Sequence, residues 1–480
     1  MEDKLENYIP MFQVSEGSQM ETSKSNWKQK FWQIFPVFCA SLLAVPFGIM
    51  LGWPSPTYPY LLQNTSAIPI SMSQSAMIAG FLVLGVTIST PLSSQYHLGP
   101  KYGIWIGMVL IIIGWILMWY SKDIYWLLGS RLMVGIGSGY GMGQVKSYIK
   151  EICDPKLAIT LTKQLNLYNC FGVILVFVAG IFLDFREVPL LSVIISTIIL
   201  IITLFIPCTP KDCIKNENTD KAVELLDFLR GKKDHANELK KIHNDLSQQK
   251  SDFLIPIFKN KKLRKKFIKF IFLVFLKQFI GGPTTIIYCQ LIFIKSGCSY
   301  PEYCAVLYSI VFFTSNIYGT FYSPSLNKKW VLIFSNVTSA LMMAVQIFVL
   351  YFEINEKIWP FTSFITMSLF ITFYNIGLGN IPFTFIQDWF PNKYKQGMTN
   401  LFTMEYSMLA LIATKIFQVI ITGITFYAGF CMFLVFEIIC FVFIIIFIKT
   451  DTENNENYAQ SNVVFFWNAK NMRREKIVNS

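Results

Sequence analysis

Two amides and one amine stand where the sequence is otherwise apolar. Gln164 and Gln278 each interrupt a long hydrophobic run, and Lys277 precedes the second of them. A carboxamide donates and accepts at once, so it suits a ligand rich in hydroxyls. Inside an apolar helix it must find a partner, on a neighbouring helix or on a ligand. Composition by itself favours the neighbouring helix. An ammonium in such a place must pair, titrate or face water, and Glu405 is its candidate counter-ion. Gly377, Gly379 and Pro382 fall in another apolar run. Proline removes a donor and glycine adds freedom, so that helix is weakened there, as a hinge or as a tolerated kink. His97, His235 and His243 lie in predicted loops and give no proton relay. Cys208 and Cys213 have no His or Cys partners at zinc spacing, so no metal is expected. No nucleophile elbow, phosphate loop or ligand cluster appears, and neither an enzyme nor a cofactor is expected.

The elements that must position these residues are membrane helices. Of 480 residues 53% are hydrophobic and only 15% charged, with mean hydropathy +0.46. So little charge does not cover a soluble domain. The apolar residues come in runs of roughly 20, the length that crosses a hydrocarbon core. Lipid leaves backbone polar groups no partner outside the segment, so each run is a helix. Twelve spans are predicted, at 31–53, 75–93, 102–120, 124–145, 160–183, 188–207, 267–295, 303–323, 330–352, 360–386, 399–425 and 428–449. The fold class is all-α membrane.

The net charge of +12 lies between the runs and reads as topology, with no nucleic acid as partner. Lys24, Lys28, Lys30, Lys101, Lys146, Lys150, Lys156, Lys328, Lys329, Lys393, Lys395, Arg473, Arg474 and Lys476 fall on one side; the other has only Lys122, Arg186, Lys295 and Lys357. Both termini are therefore expected in the cytosol. No signal peptide is read in the polar first thirty residues, so the first span is its own insertion signal. Asn64-Thr65-Ser66 is a glycosylation sequon in the first external loop. Cys298 and Cys304 share a short external loop, as a disulfide or as two free thiols.

The longest polar stretch, 208–266, divides the chain. The expected units are a cytosolic tail 1–30, a six-helix lobe 31–207, a cytosolic linker 208–266 with short helices, a second six-helix lobe 267–449 and a cytosolic tail 450–480. In the linker, Ala222, Val223, Leu226 and Leu229 recur at helical spacing, and Leu239, Ile242 and Leu246 suggest a second helix. The basic run Lys259–Lys266 anchors the seventh span or binds anionic lipid.

The ordered motifs resemble the sugar porter family of the major facilitator superfamily, and within it insect facilitated trehalose transporter-like proteins. They are Gly52-Trp53-Pro54-Ser55-Pro56, Gly129-Ser130-Arg131 with Gly135, Gly137 and Gly139, Tyr148 and Glu151-Ile152, Gln164-Leu165 with Gly172, Pro207-Cys208-Thr209-Pro210-Lys211, Gln278 with Gly281 and Tyr288, Gly377 to Pro382, and Asp451-Thr452. The resemblance implies two lobes of six helices rocking about a solute at the midplane. It implies amides Gln164 and Gln278, with Tyr288 and Phe383, as sugar contacts, Phe383 standing where the family usually has tryptophan. It also implies gating charges. Arg131 is expected to pair with Glu151 in one cytosolic layer, with Asp388 and Lys395 as counterparts. Glycines in the fourth span thin it for a close neighbour.

The departures from the family are as informative. The loops at 93–101 and 325–329 lack their acids. Lys277 replaces the first glutamine of the family pair and Pro283 an asparagine. Lys277 then either faces the cavity, shifting preference toward an acidic or phosphorylated solute, or pairs with Glu405 to hold two helices. Span one holds no acid, so facilitated diffusion rather than proton coupling is expected. The expected function is transport of trehalose, glucose or a related hexose across the plasma membrane by a multi-pass monomer with the bilayer and the sugar as its partners. The alternatives are a transport-poor sugar sensor and a carrier of a different, anionic solute.

Overall fold

The computed structural model describes residues 27–95, 99–230, 235, 239–240, 242, 254–354 and 359–448. Most of the N-terminal tail, all of the C-terminal tail with Asp451-Thr452, and His97, Leu246, His243 and Lys357 lie outside them.

No strand occurs among the described residues. Eleven helices there are long and apolar enough to cross a bilayer. The first crossing, Lys30–Leu61, is three helices end to end: α1 (Trp27–Ser41), α2 (Ala44–Gly52) and α3 (Pro54–Leu61). Then come α4 (Met72–Gln95), α5 (Pro100–Trp119), α6 (Ile124–Ile152), α7 (Pro155–Phe182) and α8 (Glu187–Leu204). The short α9 (Pro210–Lys215), α10 (Thr219–Arg230) and α11 (Leu254–Lys259) follow. The seventh expected span is broken into α12 (Lys261–Phe279), α13 (Gly282–Ile287) and α14 (Cys289–Lys295). The chain continues through α15 (Pro301–Phe321), α16 (Lys328–Phe352), α17 (Thr362–Tyr374), a π-helical turn at Asn375–Gly379, α18 (Ile381–Trp389), α19 (Asn392–Gly423) and α20 (Phe426–Phe447).

The fourth expected span, α6, is the one that hydropathy alone does not count. It carries Arg131, Lys146, Lys150 and Glu151, and six glycines among its first twenty residues. Yet it is 29 residues long and packs against both α4 and α5. The glycines permit this. A Cβ on Gly135 would sit 2.1 Å from the Leu82 carbonyl oxygen, so only a bare Cα lets the two backbones meet.

Sequence chemistry sets the boundaries. Prolines open α5, α7 and α15, where their missing N–H is no loss. Asp123 caps α6 by accepting from Tyr125 N and Trp126 N, and Asn260 caps α12 in the same way. The outward face of α20 is a row of exposed aliphatics, Val435, Ile438, Ile439, Val442, Ile445 and Ile446. Such a face is stable only against lipid.

The amphipathic α10 forms as predicted, with Ala222, Leu226 and Leu229 buried and Val223 at the surface. It docks on α1: Phe228 meets Trp32 at 5.1 Å and Gln33 Nε2 donates to Leu229 O at 2.9 Å. Arg230 pairs with Asp154 at the start of α7. Cys298 and Cys304 touch as two free thiols, Sγ to Sγ 3.5 Å.

Candidate solute-binding site

Lys277 and Gln278 occupy the last turn of α12, just before the chain breaks at Gly281. Gly281 has φ +95°, which an L side chain resists, and a Cβ there would lie 2.6 Å from Phe433. Glycine is thus required for α13 to leave the line of α12.

The second irregular element faces this break. Pro382 offers no N–H, and the turn at Asn375–Gly379 leaves α geometry. Carbonyls along this stretch turn to side chains instead. Phe373 O accepts from Ser335 Oγ at 2.7 Å, Asn375 O from Asn380 Nδ2 at 2.8 Å, and Ile376 O from Ser323 Oγ. Gly379 O accepts from Lys277 Nζ at 2.7 Å. The same ammonium lies 5.3 Å from the Tyr406 ring centre and 5.8 Å from that of Phe402, both on α19. Phe383 stands edge-on to Phe402 at 5.7 Å. Lys277, Gly379 and Phe383 are thereby gathered around one aromatic pair.

Lys277 is 5% exposed. Among the described residues no carboxylate reaches it within ion-pairing distance. The expected Lys277–Glu405 pair is not formed: Glu405 Oε2 is buried without a hydrogen bond, on the turn of α19 beside Tyr406. Gln278 is fully buried, and neither end of its amide finds a protein partner. Gln164 sits half-buried on α7. Near it, Asn166 Nδ2 donates to Asn316 Oδ1 at 3.0 Å, tying α7 to α15.

Tyr288 lies elsewhere, in a seam between helices. Its ring packs between Tyr58 at 5.7 Å and Phe417 at 5.8 Å, and its hydroxyl meets Ser75 Oγ at 3.2 Å. Gln290 N donates to Ser55 Oγ at 3.1 Å, and Lys415 Nζ to Ser73 Oγ at 2.8 Å. These contacts close one end of the bundle, across α3, α4, α14 and α19.

The gating charges need correction. Arg131 and Glu151 share α6, twenty residues apart, which is about 30 Å at 1.5 Å per residue. They cannot meet in any state. Arg131 instead lies under the Trp53 ring at 4.6 Å and donates to Met50 O. Glu151 sits at the far end of α6, near Lys150 and Lys211. Asp388 pairs with Lys328 rather than with Lys395. A Cβ on Gly377 would strike Ser335 at 2.4 Å, so α16 and the irregular turn meet without a spacer. Asn64 is exposed in the turn after α3.

Three residues are not marked out by the sequence. Phe402 is one of 44 phenylalanines, with nothing local to distinguish it, whereas its neighbour Tyr406 stands with Ser407 near a familiar Asn-Trp pair of span eleven. Glu437 on α20 and Asn336 on α16 are fully buried, with side-chain oxygens and nitrogen lacking hydrogen bonds. A lone acid within the apolar run Phe426–Phe447 was the signal for the first of these.

The chain's relatives bear on what such a site holds. The family described as "Sugar (and other) transporter" matches residues 9–457. The facilitated trehalose transporter Tret1 of Culex quinquefasciatus is 25% identical over 436 residues, covering 88% of this chain and 84% of that one. The sugar transporter ERD6-like 18 of Arabidopsis thaliana is 27% identical over 409 residues, covering 80% and 81%. Among solved structures, the partially occluded, inward-open xylose transporter XylE from E. coli superimposes with a TM-score of 0.73 at 13% identity. That match covers 88% of this chain and 99% of that one.

Proposed function

Because the chain belongs to the sugar (and other) transporter family and has the major facilitator fold, we propose that it carries a sugar across the plasma membrane by alternating access. Its relatives are named for trehalose, for sugar and, among solved structures, for xylose, and trehalose, glucose or a related hexose is the solute proposed for this chain. The observation that carries this reading is Gln278: a fully buried amide, lacking a protein partner at both ends, set at a helix break. A buried amide left so costs free energy that a hydroxyl-rich ligand recovers. Broken helices beside it are where transporters bind solute.

The two halves, 31–207 and 267–449, act as lobes rocking about that point. The seam of Tyr58, Tyr288 and Phe417 is the gate toward the side of Asn64, the external side, and opens when the lobes rock. Tyr288 acts there as a gate rather than as a sugar contact. The end rich in Lys101, Lys146, Lys150 and Lys328 faces the cytosol, with both termini. Span one, Phe31 to Trp53, holds no acid, so no proton need accompany the sugar and the solute gradient drives flux.

Counterflow of labelled trehalose and glucose in oocytes tests the reading. Saturable flux that survives a protonophore is expected. Flux that collapses with the protonophore at a fixed sugar gradient overturns facilitated diffusion. Surface expression without flux of any sugar is the behaviour of a sensor and overturns transport.

A further inference from the structure

Lys277 is a cation without an anion among the described residues. Its ammonium is held by neutral groups alone: the Gly379 carbonyl and the faces of Tyr406 and Phe402. A carbonyl and two rings orient a positive charge, yet they do not neutralise it. Charge buried inside the membrane is costly and is usually paired. The one acid on the neighbouring turn, Glu405, makes no ion pair with it and keeps a buried oxygen unbonded. Next to the ammonium in sequence, Gln278 is likewise buried with both amide ends unpartnered. The last turn of α12 thus carries an uncompensated positive charge and, on the next residue, an unsatisfied donor and acceptor.

We infer that the solute is a monoanionic acidic sugar, whose carboxylate takes Lys277 as counter-ion and whose hydroxyls satisfy Gln278. This rests on the reading of the site as the solute chamber, and narrows it. A carboxylate fits better than a phosphate. A single ammonium balances one negative charge and leaves the second charge of a phosphate dianion uncompensated. A neutral sugar leaves the ammonium unpaired and pays for its desolvation.

Proteoliposomes of the full chain, loaded for counterflow, test this with three labelled probes: glucuronate, glucose and glucose 6-phosphate. Glucuronate flux about tenfold above glucose is expected, with little flux of the phosphate. Lys277→Gln should invert the preference toward glucose, and Lys277→Arg should keep it. Glu405→Gln should leave it in place. Glucose preferred by the native chain and unmoved by Lys277→Gln overturns the inference while sugar transport stands. A phosphate preference overturns the monoanion. If Lys277→Gln and Glu405→Gln each lower the melting temperature and the double variant restores it, the two form a structural pair and the inference fails. Absence of flux and of thermal shift with all three probes overturns the transport reading, and this inference with it.

Discussion

Arg131 and Lys277 are the same problem solved twice. Each is a cation buried in a membrane helix, each donates to a backbone carbonyl, and each lies against aromatic rings. Neither has a carboxylate at ion-pairing distance among the described residues. What differs is the ground they stand on. Arg131 belongs to an unbroken helix of 29 residues and pins it to Met50 and Trp53 at the end of α2. Lys277 stands between a left-handed glycine and a π-helical turn. A buried charge in a regular seam reads as a tie between helices. The same charge between two irregular elements reads as part of a site. The type of residue does not decide its role; the backbone around it does.

The sharpest way to break this comparison is to remove each cation in turn. Arg131→Gln strands the Met50 carbonyl and loses the Trp53 stack, at a cost of about 4 kcal/mol. The measurable result is a lowered melting temperature and loss of monodisperse protein. Lys277→Gln keeps a donor for Gly379 O and should cost under about 1 kcal/mol. If Arg131→Gln instead melts normally and changes solute preference, the two cations share a role and the comparison falls.

A smaller effect probes the ground beneath Lys277. Gly281→Ala forces a side chain into the left-handed region and against Phe433, which costs roughly 3 kcal/mol. Thermal melting reads the loss. An unchanged melting curve would mean that the break relaxes at no cost and is not needed to shape the site. Smallest is Tyr288→Phe, which removes only the hydroxyl contact with Ser75, about 1 kcal/mol. Because that contact exists with the seam closed, counterflow should speed modestly while the melting temperature falls slightly. Slower flux would place the hydroxyl on the solute instead.

Much of the fold was legible because lipid permits little else. Runs of apolar residues fixed the crossings, and prolines at 100, 155 and 301 marked three helix starts. Span α6 was read as one of the apolar runs, at 124–145, although it is not among the helices that hydropathy alone counts. The site was half legible. Gln278 and Lys277 declared themselves by polarity in apolar surroundings. Phe402 did not, being about 125 positions from Lys277 in a chain with 44 phenylalanines. The pairing of Arg131 with Glu151 failed on arithmetic available from the start, since twenty residues of one helix hold their ends far apart. The Glu405 partnership failed for a subtler reason. Tyr406 turns toward Lys277, and on a helix the preceding residue points about 100° away.

Four carbonyls of the stretch 373–379 are gripped by side chains, three of them from other elements. Two grips, from Ser335 and Ser323, are hydroxyls, and Ser335 Oγ also accepts from Leu378 N. The third is Lys277, the group proposed above to meet the solute carboxylate. Were its ammonium to swing to that carboxylate, Gly379 would lose its fastening while the serines kept theirs. The bend would then yield at its far end alone, and occupancy would be the key that unlocks the movement.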